Sequence, residues 1–156
     1  MQRQGRAYRL AAVLVEVDAL PFLKAGIEHA AHSQPGCEIE VDYFISQFQD
    51  AQRQAAYMDE AVAAQVDGII LSPINADRVR AAIDRAAEAG IPVVTTNSDI
   101  DGTRRRCCVS IDSLRASRIA GRLMGQFLGG QGKVAVVSSA IDSENNNYGV
   151  SVREQG

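Results

Sequence analysis

Apolar and polar positions along the chain switch repeatedly between two periods. Ile69 to Leu71 and Val93 to Val94 are apolar without interruption, the pattern of strands covered on both faces. Between them Asn75 stands where a helix would be capped. Val79, Ala82, Ile83 and Ala86 recur at helical spacing, and Gly90 stands where that helix would stop. Two parallel strands joined by a helix bring both carboxyl ends to one edge of a sheet, where open α/β sheets bind ligands.

The same alternation runs along the rest of the chain. A strand over residues 8–17 leads through Asp18-Ala19-Leu20-Pro21 into a helix carrying Phe22, Gly26, Ile27 and Ala30, which stops before Pro35-Gly36. Residues 38–45 alternate, with Ile39, Val41, Tyr43 and Ile45 on one face, and Asp50 caps a helix whose stripe is Ala51, Ala55, Met58 and Val62. Residues 99–106 are polar and arginine-rich and read as a lobe boundary. Beyond them come a strand over 107–111 and a helix capped by Asp112 or Ser113. That helix buries Leu114, Ala120, Leu123, Met124 and Phe127, then stops at Gly129-Gly130 before a strand over 133–138. Strands and helices in alternation predict an α/β fold with a doubly wound parallel sheet. Residues 8–103 form a first lobe, and residues 104–156 hold a crossover and the incomplete start of a second.

Composition narrows the function classes. With 46% hydrophobic and 22% charged residues the chain is an ordinary globular protein, and a net charge of −3 gives no reason to expect nucleic-acid binding by the chain itself. The apolar run over residues 10–15 is short, is interrupted by Glu16 and Asp18, and is followed by no small-residue cleavage pattern, so no signal peptide is expected. No run is long enough to span a bilayer, so no membrane partner is expected. Cys37, Cys107 and Cys108 lack metal-ligand or redox spacing. They read as buried, reduced thiols, which suggests a reducing compartment.

Catalytic signals are weak. Gly129-Gly130-Gln131-Gly132-Lys133 runs from helix to strand, the reverse of a phosphate cradle, and a helix stop explains it. His29 and His32 have no carboxylate or cysteine at ligand spacing. Ser110 lies in no nucleophile elbow. Arg104-Arg105-Arg106 and the Arg115, Arg118, Arg122 set read as solvated faces. No catalytic residue, metal or cofactor is therefore expected. What remains is Asp18, Phe22, Ser72, Asn97 and Asp99, each at or just past the carboxyl end of a strand. A polyol ligand needs an aromatic face for its C–H side and short polar side chains for its hydroxyls. Phe22 can supply the first and the others the second. The alternative, with Phe22 in the core and the rest capping helices, stays open for Phe22; for Asn97 the binding role leads.

Pro21-Phe22, Val66-Asp67-Gly68-Ile69-Ile70-Leu71-Ser72-Pro73, Ala89-Gly90-Ile91-Pro92-Val93-Val94, Val109-Ser110-Ile111-Asp112 and Gly121-Arg122-Leu123-Met124-Gly125, in that order and spacing, resemble type I periplasmic-binding-protein-like domains. Arg118-Ile119-Ala120-Gly121-Arg122-Leu123, closing with Gly132-Lys133-Val134-Ala135-Val136-Val137, makes the chain most similar to the effector-binding domain of LacI-type transcriptional regulators. The resemblance implies two lobes closing on a small effector, usually a carbohydrate. It implies a homodimer in the cytoplasm that meets DNA only through a segment absent from this chain, and further residues completing the second lobe. Phe22 matches the family's ring-stacking aromatic and Asn97 its hydroxyl-binding Asp. Asn147 and Tyr148 fall near a ligand-binding arginine. The chain departs from the family at Leu20, Ser98 and Ser151-Val152, which points away from a conventional hexose or pentose. Two rivals remain: a solute-binding protein of a sugar ABC transporter, and an α/β enzyme on a small polar metabolite.

Overall fold

The structure, a computed structural model, describes residues 6–135. Among them the elements run β1 (Arg6–Val15), α1 (Leu20–His32), β2 (Cys37–Ser46), α2 (Ala51–Ala63), β3 (Gly68–Leu71), α3 (Ala76–Glu88), β4 (Val93–Thr96), β5 (Cys107–Val109) and α4 (Ser113–Phe127). The five strands form one sheet in the order β2-β1-β3-β4-β5. Every neighbouring pair is parallel.

Alternation along β1 divides the core. Ala11 and Val13 face a layer built from Met58 and Ala61 of α2 and Val79, Ala82, Ile83 and Ala86 of α3. Ala12 and Leu14 face the opposite way, against Leu20, Leu23 and Ile27 of α1. Helices thus cover both faces, as a doubly wound sheet requires. Gly68 opens β3 where a side chain would crowd the neighbour, since a Cβ there would stand 3.3 Å from the Leu10 Cδ2.

The caps follow from side chains that satisfy the first free N–H groups of a helix. Asp50 accepts from the Arg53 N–H at 2.9 Å, Asn75 from Arg78 at 3.2 Å and Asp112 from Arg115 at 2.8 Å. At α1 the cap residue is Ala19, with no side-chain bond, and a proline stands in the first turn. Asp18 therefore does not cap that helix. Gly90 follows α3 with φ of 78°, a conformation that suits glycine after a helix end.

The first strand ends at Val15, two residues before the expected end, because the chain turns there: the Leu20 N–H donates to the Val17 carbonyl at 2.9 Å. β5 stops at Val109, short of Ile111. Of the strand expected over residues 133–138, residues 133–135 are not a strand and the rest lie outside the described residues.

The chain divides into two compact units, Met1–Val109 and Ser110–Gly156. In the second, α4 forms as predicted, but Leu114, Leu123, Met124 and Phe127 are exposed and no α4 residue is buried. A single amphipathic helix has no second layer of its own to bury its stripe. The cysteines also depart from expectation. All three are free thiols, Cys107 is exposed, and Cys37 and Cys108 are only half-buried.

Candidate functional site

Because all five strands run the same way, Val15, Ser46, Leu71, Thr96 and Val109 end at one edge of the sheet. The strand order reverses direction between β1 and β3: the chain leaves β1 for α1 on one face and β3 for α3 on the other. The loops after these two strands diverge, and the gap between them is where such sheets accept ligands.

Asp18, exposed, lies in the loop after β1. Phe22 occupies the first turn of α1 and is 80% exposed, which removes it from the core of this unit. Across the gap Ser72 is buried directly after β3, and its N–H donates to the Val13 carbonyl at 3.0 Å. Asn97, exposed, follows β4. Its φ of 67° lies in the left-handed region, which asparagine adopts more readily than most residues. Its N–H donates to the Val109 carbonyl at 3.3 Å. Asp18, Phe22, Ser72, Asn97 and Asp99 thus follow strand ends at a single edge. Asn147 and Tyr148 lie outside the described residues.

Asp99 is engaged by protein. Its carboxylate accepts from two guanidinium nitrogens of Arg105, from the Thr95 hydroxyl at 2.9 Å and from the Ile100 N–H at 2.8 Å. Burial by itself raises the Asp99 carboxyl, but the bonds from Arg105, Thr95 and Ile100 outweigh it and hold the group below its ordinary value. Asp99 builds the loop that carries Asn97, and its oxygens have little capacity left for a hydroxyl.

Three residues of this edge escaped sequence reading. Gln54 of α2 is fully buried. It donates from Nε2 to the Ser72 carbonyl at 2.8 Å and accepts the Ile74 N–H on Oε1 at 3.0 Å. Its signal was a polar residue within the apolar stripe of α2, between Ala51 and Ala55 on one side and Met58 on the other. Arg105, expected on a solvated face with Arg104 and Arg106, instead keeps only 18% of its side chain in solvent because it pairs with Asp99, and a loop has no period that could have shown this. Phe48, a second partly exposed aromatic, stands two residues past the end of β2.

Chemically the edge offers an aromatic face and short polar groups. Among the described residues no group of three or more His, Cys, Asp or Glu side chains could hold a metal ion.

Comparison with known proteins agrees with this architecture. The model of the periplasmic binding protein domain family matches residues 13–154. The ribose import binding protein RbsB of Bacillus subtilis is 26% identical over 113 residues, which cover 72% of this chain and 36% of that protein. A xylitol-binding protein of Mycolicibacterium smegmatis is 26% identical over 92 residues, 59% of this chain and 26% of that one. Among solved structures, an ABC transporter solute-binding protein of Burkholderia graminis in complex with D-arabinose superposes with a TM-score of 0.87 at 22% identity, covering 100% of this chain and 53% of that one. The chain therefore spans well under half the length of these curated relatives and about half that of the solved protein.

These relatives correct the expected function. A cytoplasmic effector domain of a LacI-type regulator, with DNA and a homodimeric partner, is not what the matches support; they are transporter binding proteins. The residues that suggested the regulator lie on α4, where none is buried, and in a segment that runs beyond the described residues, so nothing in the structure ties them to a regulator. The cytoplasmic argument from buried thiols also fails, since none of the three cysteines is buried. With the matching model extending over most of its length, the chain belongs to the periplasmic binding protein domain family.

Proposed function

We propose that this chain carries a sugar- or polyol-binding edge of a solute-binding protein that serves an ABC transporter outside the cytoplasm, and that it performs no catalysis. The observation that carries the reading is the placement of exposed Phe22 and the short polar residues Asp18, Ser72 and Asn97 at one carboxyl edge, around the switch point between β1 and β3. Relatives named for binding ribose and xylitol give the ligand class. The Phe22 ring would stack on the C–H face of the ligand. The Asp18 carboxylate would accept hydroxyl protons, while the Asn97 amide would both donate and accept.

Backbone NMR of the protein during titration with ribose, arabinose, xylitol and myo-inositol tests this, because weak binding is still visible as shifted resonances. With at least one of them, amides around residues 18–22, 72–75 and 95–99 should shift and saturate. Phe22→Ala and Asn97→Ala should each abolish the saturation. A folded protein whose resonances stay still with all of these ligands overturns the proposal.

A further inference from the structure

We infer that Gln54 is a positioning residue for the sugar-binding edge: it holds the loop after β3 in the one arrangement that presents Ser72, an inference that rests on the function proposed above. Gln54 touches no solvent, although it sits on a helix whose other buried side chains are Met58 and Ala61. A polar group so placed is destabilising unless each of its atoms is satisfied. Here the amide bridges two backbone groups, the Ser72 carbonyl and the Ile74 N–H. Between them stands Pro73, which has no N–H and so adds no bond of its own. A carbonyl accepts and an N–H donates, so the amide can sit in only one orientation.

The loop is thus held from two sides. The Ser72 N–H is tied to Val13 of β1, and the Ser72 carbonyl to Gln54 of α2. One residue further, Asn75 caps α3. With its N–H tied to β1 and its carbonyl to α2, the Ser72 backbone has little freedom to turn away from the edge. Fixing a binding group before the ligand arrives removes the ordering cost from the binding step. No shorter or charged side chain reproduces the bridge at neutral pH. A carboxylate accepts from Ile74 but repels the Ser72 carbonyl, whereas a protonated carboxyl can serve both.

That asymmetry supplies the test. Gln54→Leu and Gln54→Glu are compared with wild type by hydrogen exchange at the Ile74 amide and by titration with the sugar that wild type binds. Both are read at a temperature where circular dichroism shows every variant folded. In Gln54→Leu, exchange at Ile74 should quicken about ten- to a hundredfold, as expected when a buried hydrogen bond is lost. Sugar affinity should fall on the order of tenfold. Gln54→Glu should behave likewise at mildly alkaline pH and recover both properties at mildly acidic pH. Met58→Ala, a core change on the same helix, should lower stability and leave affinity alone, which separates positioning from mere support of the fold. If Gln54→Leu does not fold, the pH dependence of Gln54→Glu still decides. Affinity that survives the loss of Ile74 protection overturns the inference, and so does unchanged exchange. A wild-type protein that binds none of the sugars defeats the functional reading, while exchange at Ile74 still shows whether Gln54 holds the loop.

Discussion

Two loops at the same sheet edge are held in opposite ways. The loop after β3 is clamped from outside itself, by an uncharged amide from α2 that water does not reach. The loop after β4 is clamped largely from within. Asp99 collects Arg105, Thr95 and the Ile100 N–H, and the Thr103 hydroxyl donates to the Ile100 carbonyl at 2.9 Å, while α3 adds contacts at its rim: Arg80 donates to the Asp101 carbonyl at 2.7 Å and Asp84 accepts the Arg104 N–H at 3.3 Å. The Arg105 and Asp99 side chains keep 18% and 29% of their surface in solvent. A neutral clamp depends on geometry alone, whereas a charged clamp near the surface also answers to pH and salt.

The largest effect should come from breaking the neutral clamp. Gln54→Leu orphans the buried Ser72 carbonyl, worth about 1–3 kcal/mol, and the part-buried Ile74 N–H, worth less. Urea denaturation should therefore show a loss of roughly 2–4 kcal/mol. That loss should be the same at every pH where wild type is folded, since no group of the clamp titrates.

Asp99→Asn should cost less, about 1–2 kcal/mol, because the pair is partly solvated and the amide keeps some of the bonds. Here pH matters. The folded Asp99 carboxyl lies below its ordinary value. Its contribution is therefore complete above the usual carboxylate range and disappears as pH falls through the lowered folded value. The gap between wild type and Asp99→Asn, followed by denaturation across acidic pH, should close at the low end. A gap that stays constant, or one that widens on acidification, would remove the distinction between the loops.

The smallest effect belongs to Arg85 and Asp59, which join α3 to α2 through two hydrogen bonds of 2.9 Å at the exposed surface. A double-mutant cycle should return about 0.2–1 kcal/mol, falling with added salt. A larger coupling would mean that exposure is a poor guide to the strength of charged contacts here.

The sheet was legible in the sequence because burial on both faces writes an unbroken apolar run, as at Ile69 to Leu71, and burial on one face writes alternation, as from Ile39 to Ile45. The edge was legible too, since parallel topology alone collects whatever follows each strand. Arg105 was not, because no period relates a loop residue to its partner, and Gln54 showed only as a polar break in the α2 stripe, its backbone partners lying far along the chain. The branch of the family was misread for a related reason. Residues such as Gly121 and Leu123 stand on α4, none of whose side chains is buried, and carry no chemistry that distinguishes a regulator from a transporter protein.

β1 is flanked by β2 on one side and β3 on the other, although β3 follows two further helices along the chain. Half of its ladder can therefore form early, but its second flank must wait until α2 has been made and packed. Closing that second flank costs more chain entropy than the first, so assembly of the sheet should be slow relative to formation of its helices. During that interval the flank from Leu10 to Val13, fully buried from Ala11 onward in the finished protein, is an open strand edge available to any other chain. The binding edge comes into being only at the end of this sequence, because the gap between the loops after β1 and β3 does not exist until the two strands lie side by side.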